Sequence, residues 1–232
     1  MKIKLIYSYN GAKFSGSQTQ PNGEAVEDSL NTALAHAGIF ERVISSSRTD
    51  TGVHALGQAS TTHCGDFWEL GTLYNQINRH LSPYIRIKRI QKVDESFQVR
   101  FDAVARSYAY VLNHDKFSPF LSDFCHFCKK PDLGRLNQNL QIFKGKNDFS
   151  NFMKVGGSSS SPVREIYEAR AYEWRNLTII KFKANGFLRS QVRLMVANAI
   201  IATQNRQNFS LQAPLTRKPF PASALYLQRV FY

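Results

Sequence analysis

A polar cluster at residues 47–54 carries the side-chain types that most readily do chemistry in this sequence. It reads Ser-Arg-Thr-Asp-Thr-Gly-Val-His and interrupts two segments of strand-like composition. This predicts a loop projecting from a sheet, where catalytic groups are often held. A carboxylate, a guanidinium and an imidazole are typical catalytic groups. A simple turn at Asp50, with Arg48 and His54 on the surface, accounts for the same spacing without any chemistry, and spacing alone favours it.

The familiar catalytic motifs are absent from the sequence. It contains no Ser-His-Asp motif, Walker loop, GxGxxG or HExxH, which excludes the usual hydrolases, nucleoside triphosphatases, dinucleotide-binding enzymes and zinc peptidases. A metal-dependent nuclease built on Asp50, Asp102 and His54 is a further alternative. These three residues lack a recognisable ligand spacing, which argues against it.

The three cysteines are Cys64, Cys125 and Cys128, and their number predicts reduced thiols. Cys125 and Cys128 form a lone CxxC, whereas a structural zinc site needs four ligands. Residues three apart on a strand also point to opposite faces, which makes joint ligation harder. We therefore expect no metal.

The charge of the chain is strongly positive and unevenly placed. The 232 residues carry a formal net charge of +13 at pH 7, divided as +2 over residues 1–100 and +11 over residues 101–232. Such a concentration favours a nucleic-acid partner over a merely solvated surface. The 43% of hydrophobic residues excludes a disordered tail. No apolar stretch nears the ~20 residues that span a bilayer and no signal peptide is present, so we expect a soluble cytoplasmic protein.

Hydrophobic periodicity in the first half predicts the element order β-α-β-β-α-β. Alternation over residues 2–9 predicts a strand, and helical spacing over residues 26–37 predicts a helix that stops at Gly38. Helical spacing over residues 68–81 predicts a second helix. Short strands beside the polar loop and at residues 85–93 complete the order.

The second half repeats this order. Its strands are predicted at residues 108–112, 164–174, 177–183 and 225–232, and its helices at residues 133–143 and 187–203. Two successive split β-α-β units predict an α+β fold of two ferredoxin-like halves, each an antiparallel sheet with helices on one face. We expect the halves at residues 1–104 and 105–232, with the active-site cleft between them. The serine-rich residues 155–162 predict a loop, more typical of a surface connection than of a substrate flap.

A series of short motifs runs in order through nearly the whole chain. The most distinctive, Arg-Thr-Asp-Thr-Gly-Val-His-Ala followed by Gly57-Gln58, begins at Arg48, and Tyr-Asn-Gly to Gln-Pro-Asn spans residues 9–22. Further motifs lie at residues 97–103, 106–110, 147–152, 187–193 and 221–227. Together they resemble the tRNA pseudouridine synthase A family, whose GRTDxGVHAxGQ signature is similar to the first motif.

The resemblance implies the isomerisation of uridine to pseudouridine in the anticodon stem-loop of tRNA, at the family's tRNA positions 38, 39 and 40. No redox change is involved, so no cofactor is expected. It implies Asp50 as the catalytic carboxylate, which attacks C1′ of the sugar or C6 of the ring as a nucleophile or stabilises charge as the glycosidic bond breaks. Arg193 is the implied partner that keeps this carboxylate ionised, and Tyr108 the ring that stacks on the displaced base. Tyr110, on the same strand face, competes with Tyr108.

A larger set of residues is expected to bind substrate or to shape the loop. It comprises Arg48, Thr49, His54, Gln58, Tyr110, Arg164 and Arg189, with Lys181 and Lys183 as further candidate phosphate contacts. Within this set, Thr49 and His54 are expected to shape the loop, and Gly52 to permit its turn. The resemblance also implies a homodimer that clasps tRNA.

Four positions depart from the family pattern. Asn10, Ser17, Ser47 and Ala224 stand where the family has Asp, Trp, Gly and Gly, and the first two bear on how RNA is held. A non-catalytic RNA-binding module is the alternative function, since charge and aromatic residues suffice for it.

Overall fold

The computed structural model describes residues 1–21, 23–156 and 161–232. Its contacts group the chain into two compact units, Met1–Val104 with Leu227–Tyr232, and Ala105–Tyr226. The final six residues thus cluster with the first unit, whereas the sequence predicts them in the second half. The middle of the serine-rich loop expected at residues 155–162 lies outside the described residues.

The first unit has the predicted element order. Its elements are β1 (Lys2–Tyr9), α1 (Val26–Ala35), β2 (Ile44–Ser45), β3 (His54–His63), α2 (Leu70–Leu81) and β4 (Ile85–Lys92). β1 is antiparallel to both β4 and β3, and β2 pairs with β3 on its other side. This is the strand order of a ferredoxin-like sheet, so the α+β prediction is confirmed for this unit.

Local sequence explains these elements. The alternation in β1 buries Ile3, Leu5 and Tyr7 completely, as the period of a strand requires. α2 begins where the Glu69 carboxylate accepts hydrogen bonds from two backbone N–H groups of the first turn, which satisfies donors that the helix itself leaves unpaired. Trp68, which the periodicity included in the helix, precedes it. α2 packs on α1 and on β4.

The second unit contains the predicted strands and helices together with two short additional strands. Its elements are β5 (Ala105–Asn113), β6 (His126–Phe127), α3 (Leu133–Gln141), β7 (Gly145–Asp148), β8 (Val163–Trp174), β9 (Leu177–Ala184) and α4 (Gln191–Asn205), and the last strand, β10 (Leu225–Phe231), begins at its end. The sheet order is β5-β9-β8-β7, all antiparallel, with β6 parallel to β5. The additional strands are β6 and β7, which are too short to leave a periodic signal.

α4 is a core helix. Eleven of its fifteen residues are buried, and it contacts α3 and β5. Within the part of the chain that the structure describes, no helix has the length and apolarity to cross a membrane.

Candidate active site

The polar loop lies between β2 and β3, and Asp50 is half-buried in it. The backbone turns back after Asp50, where the Val53 N–H donates to the Asp50 carbonyl at 3.1 Å. Gly52 sits inside this turn at φ +81°, a conformation that a residue with a Cβ adopts only with strain. The prediction that Gly52 permits the turn is therefore confirmed.

Thr49, immediately before Asp50, is held at three atoms. Its N–H donates to the Ser17 hydroxyl at 2.8 Å, and its carbonyl accepts from the Ser17 N–H at 3.2 Å. Its side-chain hydroxyl is 2.8 Å from the hydroxyl of Tyr9. Burial raises the pKa of Tyr9 to about 12, so the phenol keeps its proton at neutral pH. The backbone beside Asp50 is thus fixed by a strand and by the segment before α1.

His54 and Gln58 lie in β3, directly after the loop, and both are buried. They are 2% and 0% exposed. His54 Nδ1 accepts from the Gly11 N–H at 3.0 Å, which makes Nδ1 the unprotonated nitrogen. Gln58 Nε2 donates to the Ser47 carbonyl at 2.8 Å. Their contacts are those of positioning residues. Of these two, His54 was expected to shape the loop and Gln58 to bind substrate.

Gly11 is a positioning residue that sequence reasoning missed. A Cβ built on Gly11 would lie 2.0 Å from the carbonyl oxygen of Val53, so the two segments touch through their backbones. The Tyr-Asn-Gly motif contained the signal, but nothing in the sequence says which segment approaches that glycine.

Tyr108 and Tyr110 share one face of β5, as their spacing requires. Tyr108 keeps 8% of its surface exposed, and its ring lies nearly perpendicular to that of Phe187 at a centroid distance of 5.2 Å. Tyr110 is fully buried and donates its hydroxyl to the Pro221 carbonyl at 2.9 Å. Burial raises the pKa of Tyr110 far above its usual value. Tyr110 is a core residue here, which favours Tyr108 as the ring that a base can reach.

Arg193 extends from the first turn of α4. Its Nε donates to the Phe220 carbonyl at 2.6 Å. Burial raises the pKa of Tyr110, and the positive charge of Arg193 acts in the opposite direction on the same pKa. The turn before α4 is held by the buried Gln191, whose side-chain oxygen accepts from the Leu188 N–H at 2.8 Å. The second unit therefore brings Arg193 to the face of β5 that carries the two tyrosines.

Two arginines line an open pocket of about 260 Å³ with Asn185 and Gly186. Arg106 lies two residues before Tyr108 in β5 and pairs with Ala184 of β9. Ile166 of β8 pairs with the same Ala184, and Arg164 lies two residues before Ile166. Both arginines therefore lie on the Tyr108 face of the sheet. Burial and the nearby Arg106 lower the pKa of Arg164, as expected where two cations approach each other.

The other basic candidates are placed differently. Lys181 and Lys183 pair with Ala109 and Ser107 of β5, so both point to the face opposite Tyr108. Arg189 is exposed and donates to the Val155 carbonyl at 3.0 Å. Arg48 is also exposed.

Potential metal ligands are scattered over the described residues. Among the described residues there is no group of three or more His, Cys, Asp or Glu side chains that could hold a metal ion. Cys125 and Cys128 flank β6, and burial raises the pKa of both thiols, which keeps them protonated.

Known proteins resemble this chain along its full length. A family model described as tRNA pseudouridine synthase matches residues 140–229. The chain is 42% identical to "tRNA pseudouridine synthase A" of Campylobacter jejuni serotype O:6, with 100% of both chains covered. It is 36% identical to the protein of the same name from Helicobacter pylori strain J99, with 99% of both covered. A chain of the solved Cbf5-Nop10-Gar1 complex matches at 12% identity and a TM-score of 0.37, over 84% of this chain and 45% of that one, too weakly to bear on function.

Proposed function

The chain belongs to the tRNA pseudouridine synthase A family, and from this premise we propose that Asp50 is the carboxylate with which it isomerises uridine to pseudouridine in tRNA. The observation that carries the assignment is the anchoring of Thr49 at three atoms. A nucleophile gains most from being held in place before the substrate arrives. The reaction detaches the base at N1, rotates it and reattaches it through C5 of the ring.

Arg193 is proposed as the partner of Asp50. Its Nε–H is engaged by the Phe220 carbonyl, which fixes the orientation of the guanidinium. A fixed, planar fork suits the two oxygens of a carboxylate.

Tyr108 is proposed to receive the displaced uridine. Removing a base from its stack costs a few kcal/mol, and stacking on an aromatic side chain returns roughly 1–3 kcal/mol. The Tyr108 ring packs nearly perpendicular to Phe187 and keeps 8% of its surface exposed, which supports this role.

The pocket of Arg106 and Arg164 is proposed to hold a backbone phosphate of the RNA. It lies on the Tyr108 face, and paired guanidinium groups match the geometry of a phosphate. Arg48 and Arg189 are exposed and would add contacts to the anticodon stem-loop, where the family's positions 38, 39 and 40 are the proposed targets. A homodimer and a cytoplasmic location belong to the same proposal.

One assay tests the proposed reaction. Purified wild type and Asp50→Ala are incubated with unmodified tRNA without added metal, and pseudouridine is mapped at single-nucleotide resolution. Conversion in the wild type that is lost in Asp50→Ala, with tRNA binding retained, is the expected result. Binding without conversion in both proteins would support a non-catalytic RNA-binding module, and strand cleavage would support a nuclease.

A further inference from the structure

Ser17 connects the proposed catalytic loop to the start of α1. Its side chain is buried at 1% exposure. On one side its hydroxyl accepts the Thr49 N–H at 2.8 Å. On the other, its carbonyl accepts the Glu27 N–H of α1 at 3.0 Å, and the carbonyl of the preceding Gly16 accepts the Val26 N–H at 3.1 Å.

The two sets of contacts use different atoms of this segment. The bonds to α1 are made by backbone carbonyls and do not depend on the side chain of Ser17. The bond to the Thr49 N–H is made by the hydroxyl alone. Removing the hydroxyl therefore leaves the helix cap in place and takes an acceptor away from the residue beside Asp50.

The preceding glycine fits this close approach. Gly16 adopts φ +102°, and a Cβ there would lie 3.2 Å from the Thr49 carbonyl oxygen. The backbone at Gly16 thus allows Ser17 to reach both the N–H and the carbonyl of Thr49.

We propose that Ser17 is a positioning residue whose hydroxyl fixes the Thr49 backbone and thereby aims the Asp50 carboxylate. The proposal rests on the proposed role of Asp50. Loss of the hydroxyl removes one of the three bonds that hold Thr49, and displacement of a catalytic group by about 1 Å can cost as much as 10²-fold in rate. Ser17 was expected to bear on how RNA is held, but at 1% exposure its hydroxyl is not accessible to tRNA, so little change in tRNA affinity is expected.

The test compares Ser17→Ala with Ser17→Thr and with a matched control, Ser60→Ala. Ser60 is also fully buried in the first unit, and its hydroxyl lies 2.8 Å from Tyr7 Oη and 2.9 Å from Ser45 Oγ. Single-turnover rates, KM, tRNA affinity and thermal midpoints are measured for all three. Amide hydrogen exchange at Thr49 is measured in parallel.

The expected result is a 10- to 100-fold lower kcat for Ser17→Ala with KM and tRNA affinity within about 2-fold of wild type. Exchange at the Thr49 amide rises in the same variant, and Ser17→Thr, which keeps a hydroxyl acceptor, recovers both. Ser60→Ala lowers the thermal midpoint and leaves kcat within about 2-fold. If Ser17→Ala does not fold, Ser17→Cys, with its weaker acceptor, is expected to show a smaller change in the same two readouts.

Unchanged Thr49 exchange, a wild-type kcat in Ser17→Ala, or an equal loss of kcat in Ser60→Ala would overturn the proposal. Failure of the proposed function is recognised separately: Asp50→Ala is assayed alongside, and full activity there contradicts the role of Asp50 whatever Ser17 does. The Thr49 exchange measurement requires no activity.

Discussion

Arg193 and Tyr110 bind adjacent carbonyl groups of one short segment. Arg193 Nε donates to the Phe220 carbonyl at 2.6 Å, and the Tyr110 hydroxyl donates to the Pro221 carbonyl at 2.9 Å. The core tyrosine and the proposed ion-pairing arginine therefore share an anchor. This relationship distinguishes the roles of the two neighbouring tyrosines of β5. Tyr110 is anchored through its hydroxyl, whereas Tyr108 packs its ring against Phe187.

Exchanging each tyrosine for phenylalanine should separate their roles. Tyr110→Phe is expected to lower the free energy of unfolding by about 1 kcal/mol, because the partly buried hydrogen bond from Tyr110 to the Pro221 carbonyl is lost. Tyr108→Phe keeps the stacking surface, so tRNA affinity should stay near wild type, and any fall in kcat then reports proton transfer by the phenol. Urea unfolding and single-turnover kinetics measure both effects. A larger stability loss in Tyr108→Phe than in Tyr110→Phe would contradict the assignment.

Removal of Arg193 should affect turnover far more than binding. Arg193→Ala is expected to lower kcat by about 10²–10³-fold, as for other preorganised charged groups at a reacting centre, with tRNA affinity changed only a few-fold. Arg193→Lys should not restore the rate, since an ammonium lacks the planar fork. Arg79→Ala, an exposed helical arginine on α2, is the matched control. Equal losses in kcat and affinity for Arg193→Ala would count against the role.

Neutralising the arginine pocket should weaken RNA binding without stopping the chemistry. Arg106→Ala and Arg164→Ala are each expected to reduce affinity and to lower the slope of log K against log salt by about 1. Lys181→Ala, on the opposite face of the same sheet, should change the slope less. Filter binding over a salt series, with kcat at saturating tRNA, decides between these outcomes. An equal slope change for Lys181→Ala would contradict a phosphate contact specific to the arginine pocket.

The exposed His63 should give stability a modest pH dependence. Its two ring nitrogens lie 2.8 Å from Glu41 and 2.7 Å from Glu95, and hydrogen bonding to both carboxylates raises its pKa above 6.5. The charged form is thus favoured in the folded state, so this stabilisation is fully present below about pH 6.5 and is lost as pH rises through the folded pKa. The effect is small because the pair is solvent-exposed.

Thermal midpoints between pH 5.5 and 9 test this dependence. Wild type is expected to lose its advantage over His63→Gln as pH rises. A difference between the two proteins that stays constant or grows over this range would contradict the prediction.

Gly11→Ala should damage both stability and turnover. The new Cβ would lie 2.0 Å from the Val53 carbonyl oxygen, so the backbone must shift at the loop that carries Asp50. Overpacking of this kind costs about 1–3 kcal/mol. Gly134→Ala is the matched control, because its Cβ meets only the Asp132 carboxylate at 3.4 Å in the first turn of α3. Chemical unfolding and kcat are measured for both, and wild-type values for Gly11→Ala would refute the close approach.

Much of the fold can be predicted from local hydrophobic patterns in the sequence. The alternation of β1 and the spacing of α2 are visible in the sequence because each depends on residues within a few positions of one another. β6, with only two residues, leaves no such signal. The ends also differ: α4 begins at Gln191, four residues after the predicted start, because the turn at residues 188–190 includes Ser190 at φ +59°.

The sequence by itself determined the residue types of the proposed site and their order, including Asp50, Tyr108, Arg193 and the glycine that turns the loop. Only the tertiary structure decided which residues are exposed to a substrate and which are buried and hold the others in place. Tyr110 and Gln58 are fully buried, and Ser17 bonds the loop from 32 residues away. Such roles depend on contacts between segments distant in the chain, and hydrophobic periodicity reports which face of an element is buried without reporting which atoms meet there.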